Sequence, residues 1–381
     1  MSEHTSDLDT LRRKIDTVDT RLVALLAERR DLVAQVAHYK TTHGIPVYVP
    51  EREAALIAAR RTEAAQAGVS GDLIEDLLRR IMRESYSAEG ETGYRCALTD
   101  PRPVVIVGGG GAMGSLLGDL FTRSGFTVRV LETNDWDRAD TILKGAGLVL
   151  VSVPIAATVP VIQRLQGQLP DDAILADVTS RKADALAAML AAHTGPVLGL
   201  HPMCGPTTAS LAKQVVVRCT GRDEAASEWV LDQFRIWGAS IVDTEATAHD
   251  QAMARIQALR HFATFVYGVH LQEEDADLAA MLELSSPIYR LELAMTGRLF
   301  AQDPDLYTDI IFDSPEGLEL AERFRDRFAA AVELYRSGDR EEFRRRFREV
   351  REWFGPVAEE FLAGSSKLLA QAGDLVDRRG R

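Results

Sequence analysis

The pattern with the clearest chemistry is VVIVGGGGAMGS, residues 104–115. Gly109, Gly111 and Gly114 stand in G-x-G-x-x-G spacing between a β-branched run and a helical stretch. In such a loop the first glycine permits a tight turn and the second lets backbone approach a pyrophosphate. The third lets helix pack on strand. The pyrophosphate then rests at a helix N-terminus, where free N–H groups and the dipole favour negative charge. The next β-branched run ends in Leu131-Glu132, 23 residues after Gly109. An acid there accepts hydrogen bonds from ribose hydroxyls and repels a 2′-phosphate, so NAD is expected rather than NADP. Asp135 and Asp137 stand close enough in sequence to share that role.

A second group with chemical potential is GLHPMCGP, residues 199–206, which follows another strand-like run. Ligands of an open α/β sheet lie beyond the carboxyl ends of its strands, so His201 is placed to face a nicotinamide. A neutral imidazole there can take a proton. His201 and Cys204 are three apart, but no second pair completes a zinc site and no metal is expected. Far upstream, Arg29 and Lys40 lie about 20° off one helix face and roughly 16 Å apart along it, so together they can grip a small dianion. Arg12 lies about 25 Å from Arg29 and about 100° around the same helix, so a partner subunit should supply it to that site.

The elements that must carry these groups fall into three blocks. Leu8, Leu11, Ile15, Val18, Leu22, Leu25, Leu26, Val33 and Val36 recur at three- and four-residue steps, with no Gly or Pro before Gly44 and Pro46. They predict a helix of about 35 residues, roughly 50 Å long. Ninety residues cannot cover such a rod, so its apolar seam implies a homodimer. Two shorter helices are expected at about 50–67 and 71–88. Gly90, Gly93, Pro101 and Pro103 then mark a linker, set at 93–102. From Val104, runs at 104–107, 127–131, 148–153, 173–177, 197–200 and 215–218 alternate mostly with helical stretches, which predicts a parallel sheet covered on both faces. From about Ala248 a long helix and three or four more are expected to about residue 370, with REEFRRRFREVREW a solvated helix face. The fold class is therefore multidomain α and α/β. It comprises a helical domain (1–92), a Rossmann-type doubly wound parallel sheet (103–247) and a helical C-terminal dimerisation domain (248–381).

Composition narrows the function classes. A net charge of −13 disfavours a general nucleic-acid role, since phosphate binding needs a basic face. The N-terminus lacks the apolar core of a signal peptide, and the longest apolar stretch, 145–161, is broken by Pro154 and Pro160, so no membrane span is expected. Three scattered cysteines fit a reducing cytoplasm better than a disulfide framework.

GLHPM, DVTSRK, QALRHFATF and SSPIYRLELAMTGRLFAQDP resemble prephenate dehydrogenases of the type fused to chorismate mutase, and the resemblance covers essentially the whole chain. It implies that His201 accepts a hydrogen bond from the 4-hydroxyl of prephenate and takes its proton while C4 gives its hydride to NAD⁺. Carbon dioxide is then lost, pulled by aromatisation. It likewise implies that Ser180 orients His201, and that Arg298 pairs with a substrate carboxylate through its planar fork. Arg290 and His261 resemble supporting polar residues, with His261 also implicated in feedback inhibition by tyrosine; structural hydrogen bonding is the alternative for both. The dehydrogenase site is expected between the last two domains. Cys204 departs from the phenylalanine of some relatives, and Arg181 follows Ser180 where it can alter local electrostatics.

LRRKID, LLAERRDLV and the segment from Lys40 to Glu53 resemble the all-helical class of chorismate mutase, in which two subunits interlock along the long helix. Its reaction is pericyclic and needs the diaxial conformer held and the developing charge on the ether oxygen stabilised. By resemblance Arg12, Arg29 and Arg52 bind carboxylates, Lys40 donates to the ether oxygen, Glu53 binds the hydroxyl, and Ser85 adds a polar contact. Glu89 stands where some mutases have Gln. A carboxyl donates to the ether oxygen only when protonated, and two substrate carboxylates nearby should raise its pKa, so activity should fall as pH rises. Two alternatives remain: a dehydrogenase whose N-terminal helices only dimerise or regulate, and arogenate as the oxidised substrate.

Overall fold

The computed structural model describes residues 2–91 and 93–374. The chain forms two compact units. One comprises everything up to Val153 together with Ala157–Thr247, and the other Pro154–Ala156 with the chain from Ala248 onward.

The first unit opens with α1 (Ser2–His43), uninterrupted over 42 residues. Gly44 ends it at φ +70, and the Ile45 N–H closes back on the Lys40 carbonyl at 3.0 Å. A left-handed glycine just past the last turn is a common helix stop because it carries no Cβ. Pro50 then starts α2 (Pro50–Gln66), and α3 (Gly71–Glu91) runs back along it. Leu11, Ile15, Leu22 and Leu25 of α1 are all more than half exposed. The apolar stripe read from the sequence is therefore not covered within this chain.

The helices do not close on themselves. Val47, Ile57, Met82, Tyr86 and Tyr94 join one apolar cluster with Ile106, Leu117, Phe121 and Trp237 of the nucleotide fold. The Val47 N–H donates to the Ile236 carbonyl at 3.3 Å, and Gln233 bonds both the Ala97 N–H and the Arg95 carbonyl. Arg95 and Ala97, inside the stretch 93–102 read as a linker, are thus tied to the Gln233 side chain.

The sheet strands are β1 (Val104–Val107), β2 (Val128–Leu131), β3 (Leu148–Val151), β4 (Ile174–Asp177), β5 (Val197–Pro202), β6 (Val215–Arg222) and β7 (Ser240–Asp243). They lie in the order β2-β1-β3-β4-β5-β6-β7. Helices α4 (Ala112–Arg123), α5 (Ala139–Leu143), α6 (Ile155–Arg164), α7 (Ala183–Ala192) and α8 (Glu224–Ile236) connect them. All residues of β1, β3 and β4 are buried, as expected where helices cover both faces. One feature corrects the all-parallel expectation: β6 runs antiparallel to β5. A parallel return needs a crossover of a dozen or so residues, usually helical, and residues 203–214 form no helix. β7 escaped the sequence reading because SIVD offers only two apolar residues on a mostly exposed edge.

The second unit is helical: α9 (Ala246–Met253), a π-helical stretch over Ala254–Leu259, α10 (Arg260–Glu273), α11 (Leu278–Leu284), α12 (Pro287–Phe300), α13 (Pro304–Phe312), α14 (Pro315–Ser337), α15 (Arg340–Phe354) and α16 (Val357–Asp374). More helices form here than the sequence periodicity suggests, because caps subdivide the run. Ser286, Asp303 and Ser314 each accept a first-turn N–H and each precede a proline.

Candidate active sites

The first candidate site is built on α1–α3. Arg29 Nη1 donates to Ser85 Oγ at 2.9 Å, so a carboxylate-binding candidate of α1 meets its expected polar neighbour on α3. Lys40, in the last turn of α1, donates to the Val47 carbonyl at 2.8 Å. Glu53 is buried on α2, where its Oε2 accepts from Tyr86 Oη at 2.7 Å and its Oε1 from Arg79 at 3.1 Å. Ser85 and Tyr86 are consecutive on α3, so one helix carries a partner of Arg29 and a partner of Glu53. Lys213, from the loop between β5 and β6, also reaches Glu53 Oε1 at 2.5 Å. Burial pushes the Glu53 carboxyl up. Donation from Lys213 and Tyr86, with the charges of Lys213 and Arg79, outweighs it and holds the group below its ordinary range.

Two candidates stand apart in this chain. Arg12 is exposed and pairs with Asp9 at 3.3 Å, and Arg52 is exposed one residue before Glu53. The Glu89 side chain lies outside the described residues. Arg79, Tyr86 and Lys213 were missed by sequence reasoning. Arg79 and Tyr86 sit seven apart, two helical turns, which was a usable signal; Lys213, 160 residues from Glu53, gave none.

The second candidate site lies on the carboxyl edge of the sheet. β1, β3, β4 and β5 are parallel neighbours, so the glycine turn after β1, Ser180 after β4 and His201 near the end of β5 share one edge. At strand spacing, β1 and β5 are about 14 Å apart. The turn's left-handed residue is Gly108, at φ +79, one position before the G-x-G-x-x-G run. Gly109 is constrained by packing instead, since a Cβ there would sit 2.8 Å from Val130. At Gly114 a Cβ would lie 2.5 Å from the Gly108 carbonyl, so α4 rests directly on the turn. Gly111 caps α4, and Glu132 at the end of β2 accepts the Gly110 N–H at 2.6 Å. Turn, helix start and acid together fit a dinucleotide. Asp135 is committed to its own turn. It accepts the Glu132 N–H and pairs with Arg138, and both hold its carboxyl low.

His201 is buried, in register with Val217. Beneath it, fully buried Lys182 pairs with Asp177 and donates to the Leu200 carbonyl at 2.6 Å. The DVTSRK segment thus supplies a buried cation as well as Ser180. Arg181, just ahead of α7, pairs with Asp184 in the first turn of that helix at 3.2 Å. Burial raises the Cys204 thiol, which keeps it protonated.

In the second unit, Arg290 Nε donates to the Leu282 carbonyl and Ser285 Oγ, so part of its fork is structural. Arg298 is exposed in the last turn of α12. His261 follows the π-helical stretch and packs edge-on against Tyr307, with ring centroids 4.8 Å apart. Burial, aided by the Arg260 charge, pushes its ring down to about 4. Short π-helical stretches recur at functional sites.

Three family models match the chain in sequence order. Residues 11–90 match the family model for chorismate mutase type II, 127–242 that for the prephenate dehydrogenase nucleotide-binding domain, and 245–349 that for the prephenate dehydrogenase dimerization domain. The chain is 54% identical to the T-protein of Enterobacter agglomerans, over 97% of this chain and 99% of that one. The chain belongs to the T-protein family of bifunctional chorismate mutase/prephenate dehydrogenases. The T-protein of Haemophilus influenzae is 51% identical, over 97% of this chain and 98% of its own length. A prephenate dehydrogenase from A. aeolicus, solved with hydroxyphenyl propionate and NAD⁺, shares the fold at TM-score 0.55 and 19% identity, covering 67% of this chain and 97% of that one. As a member of this family the chain rearranges chorismate to prephenate and oxidises prephenate in tyrosine biosynthesis.

Proposed function

We propose that the two reactions use two separate sets of residues. The mutase set comprises Arg29, Arg52, Lys40, Glu53, Ser85 and Glu89 from residues 1–92 of one chain, with Arg12 from a second. Arginines hold the two carboxylates of chorismate, Lys40 and Glu89 donate to the ether oxygen, and Glu53 accepts the hydroxyl. The dehydrogenase set comprises His201, Ser180 and Arg298, with Arg290 and His261 in support. NAD⁺, bound by Gly109, Gly111, Gly114 and Glu132, supplies the hydride acceptor. His201 takes the proton of the 4-hydroxyl, Ser180 orients the imidazole, and Arg298 grips a carboxylate. The observation that carries this reading is the partition itself: Arg29, Lys40, Glu53 and Ser85 belong to α1–α3, whereas the glycine turn, Ser180 and His201 share one sheet edge.

The exposed apolar stripe of α1 supports a homodimer, and the distance of Arg12 from Arg29 along the same rod supports a shared mutase site. Tyrosine acts as feedback inhibitor through the region of His261, and the three free cysteines fit the cytoplasm. NADH formation followed in parallel from chorismate, prephenate and arogenate tests the reading. Chorismate and prephenate should both support it, and turnover of arogenate alone would sink it. For the shared site, co-expressed Arg12→Ala and Lys40→Ala chains should regain about a quarter of native mutase activity in random dimers, although each alone is inactive.

A further inference from the structure

Glu53 is bonded on both oxygens. Oε1 accepts from Lys213 Nζ at 2.5 Å and from Arg79 at 3.1 Å, and Oε2 accepts from Tyr86 at 2.7 Å. A carboxylate offers about four acceptor positions, so these donors leave one, on Oε2. Arg79 is shared, since it also pairs with Glu75 at 2.9 Å. Lys213 is therefore the cation that balances Glu53. Its ammonium lies 5.2 Å from the Tyr48 ring and 5.7 Å from the Tyr86 ring, which fixes its direction of approach.

Lys213 belongs to the loop between β5 and β6, not to the helices it serves. Its N–H donates to the Gly238 carbonyl at 3.0 Å, and its φ is +67. A left-handed backbone is unfavourable for a side-chain-bearing residue, and such strain persists where the surrounding structure requires it. Glycine or asparagine would suit the turn better, but neither reaches α2.

We propose that Lys213, contributed by the nucleotide-binding fold, is a positioning residue of the mutase site: it fixes the Glu53 carboxylate with one acceptor position left for the substrate hydroxyl. This rests on Glu53 being the hydroxyl acceptor. The mutase site is then incomplete in residues 1–92 alone, and the loop that leaves the His201 strand takes part in the other reaction.

The test uses the full chain and three variants. Lys213→Asn removes the ammonium while relaxing the left-handed backbone, so the fold is retained. Its mutase kcat/KM should fall about ten- to a hundred-fold, the size expected for one charge-assisted hydrogen bond, with NADH formation from prephenate unchanged. Lys213→Arg should recover most of the loss. In a Glu53→Gln background, Lys213→Asn should add no further loss. Undiminished mutase activity in Lys213→Asn overturns the proposal, as does an equal fall in both activities. If Glu53→Gln alone leaves the mutase intact, the hydroxyl-acceptor reading itself has failed. If Glu53→Gln is impaired and Lys213→Asn is not, only the role of Lys213 has failed.

Discussion

The Lys182 ammonium donates to the Leu200 carbonyl at 2.6 Å, one residue before His201. The same ammonium pairs with Asp177, and both side chains are fully buried. Removing one partner of such a pair leaves an uncompensated charge in the core, which costs about 3–5 kcal/mol. Lys182→Met should lower the urea midpoint accordingly and slow NADH formation, because the carbonyl that precedes His201 loses its anchor. Wild-type stability and rate in this variant would show that the strand end is held by something else.

His201→Asn keeps a polar group but removes the base. General-base catalysis contributes about 10²–10⁴-fold, so oxidation of prephenate should fall by that factor. NAD⁺ affinity and mutase turnover should be unaltered. Equal loss of all three, measured by titration calorimetry and two activity assays, would identify His201 as structural.

Arg298 is exposed in the last turn of α12, where Gln302 bonds its backbone carbonyl at 2.9 Å. Arg298→Gln should therefore leave stability within about 0.5 kcal/mol. It should raise KM for prephenate about ten- to a hundred-fold, the loss of a charge-assisted pair. An unchanged KM would remove Arg298 from substrate binding.

Glu89 donates to an ether oxygen only as the acid. Mutase activity of the native chain should fall as pH rises through the point where Glu89 ionises in the complex, whereas Glu89→Gln should hold its activity into alkaline solution. Superimposable pH profiles for the two proteins would end this assignment.

His261 is held down to about 4 by burial, aided by the Arg260 charge. In the unfolded chain a histidine titrates near about 6.5. Between those values the unfolded state binds more protons, so stability falls as pH falls from about 6.5 toward 4. His261→Gln should flatten that decline in a series of thermal melts. Parallel slopes would mean the ring is not buried uncharged.

Much of the fold was legible because its signals are local. The stripe from Leu8 to Val36 has helical period, the six β-branched runs are short and separated, and Gly109-x-Gly111-x-x-Gly114 joins strand to helix. β7 was missed because an exposed four-residue edge needs little apolar patterning. The direction of β6 was missed because strand direction is set by its connection, and neither Val215 nor Arg222 carries a mark of it.

The residue types and spacings by themselves determined a dinucleotide-binding fold, a histidine beyond a strand and cations along a helical rod, and the two reactions followed from the resemblance of the longer motifs to prephenate dehydrogenases fused to chorismate mutase. Only the tertiary structure decided which groups share a charge. Lys182 with Asp177, Arg79 with Glu53, and Lys213 with Glu53 across 160 residues arise where burial strips water from an ion and forces it to find a partner. That requirement acts through space, and the order of residues along the chain does not record it.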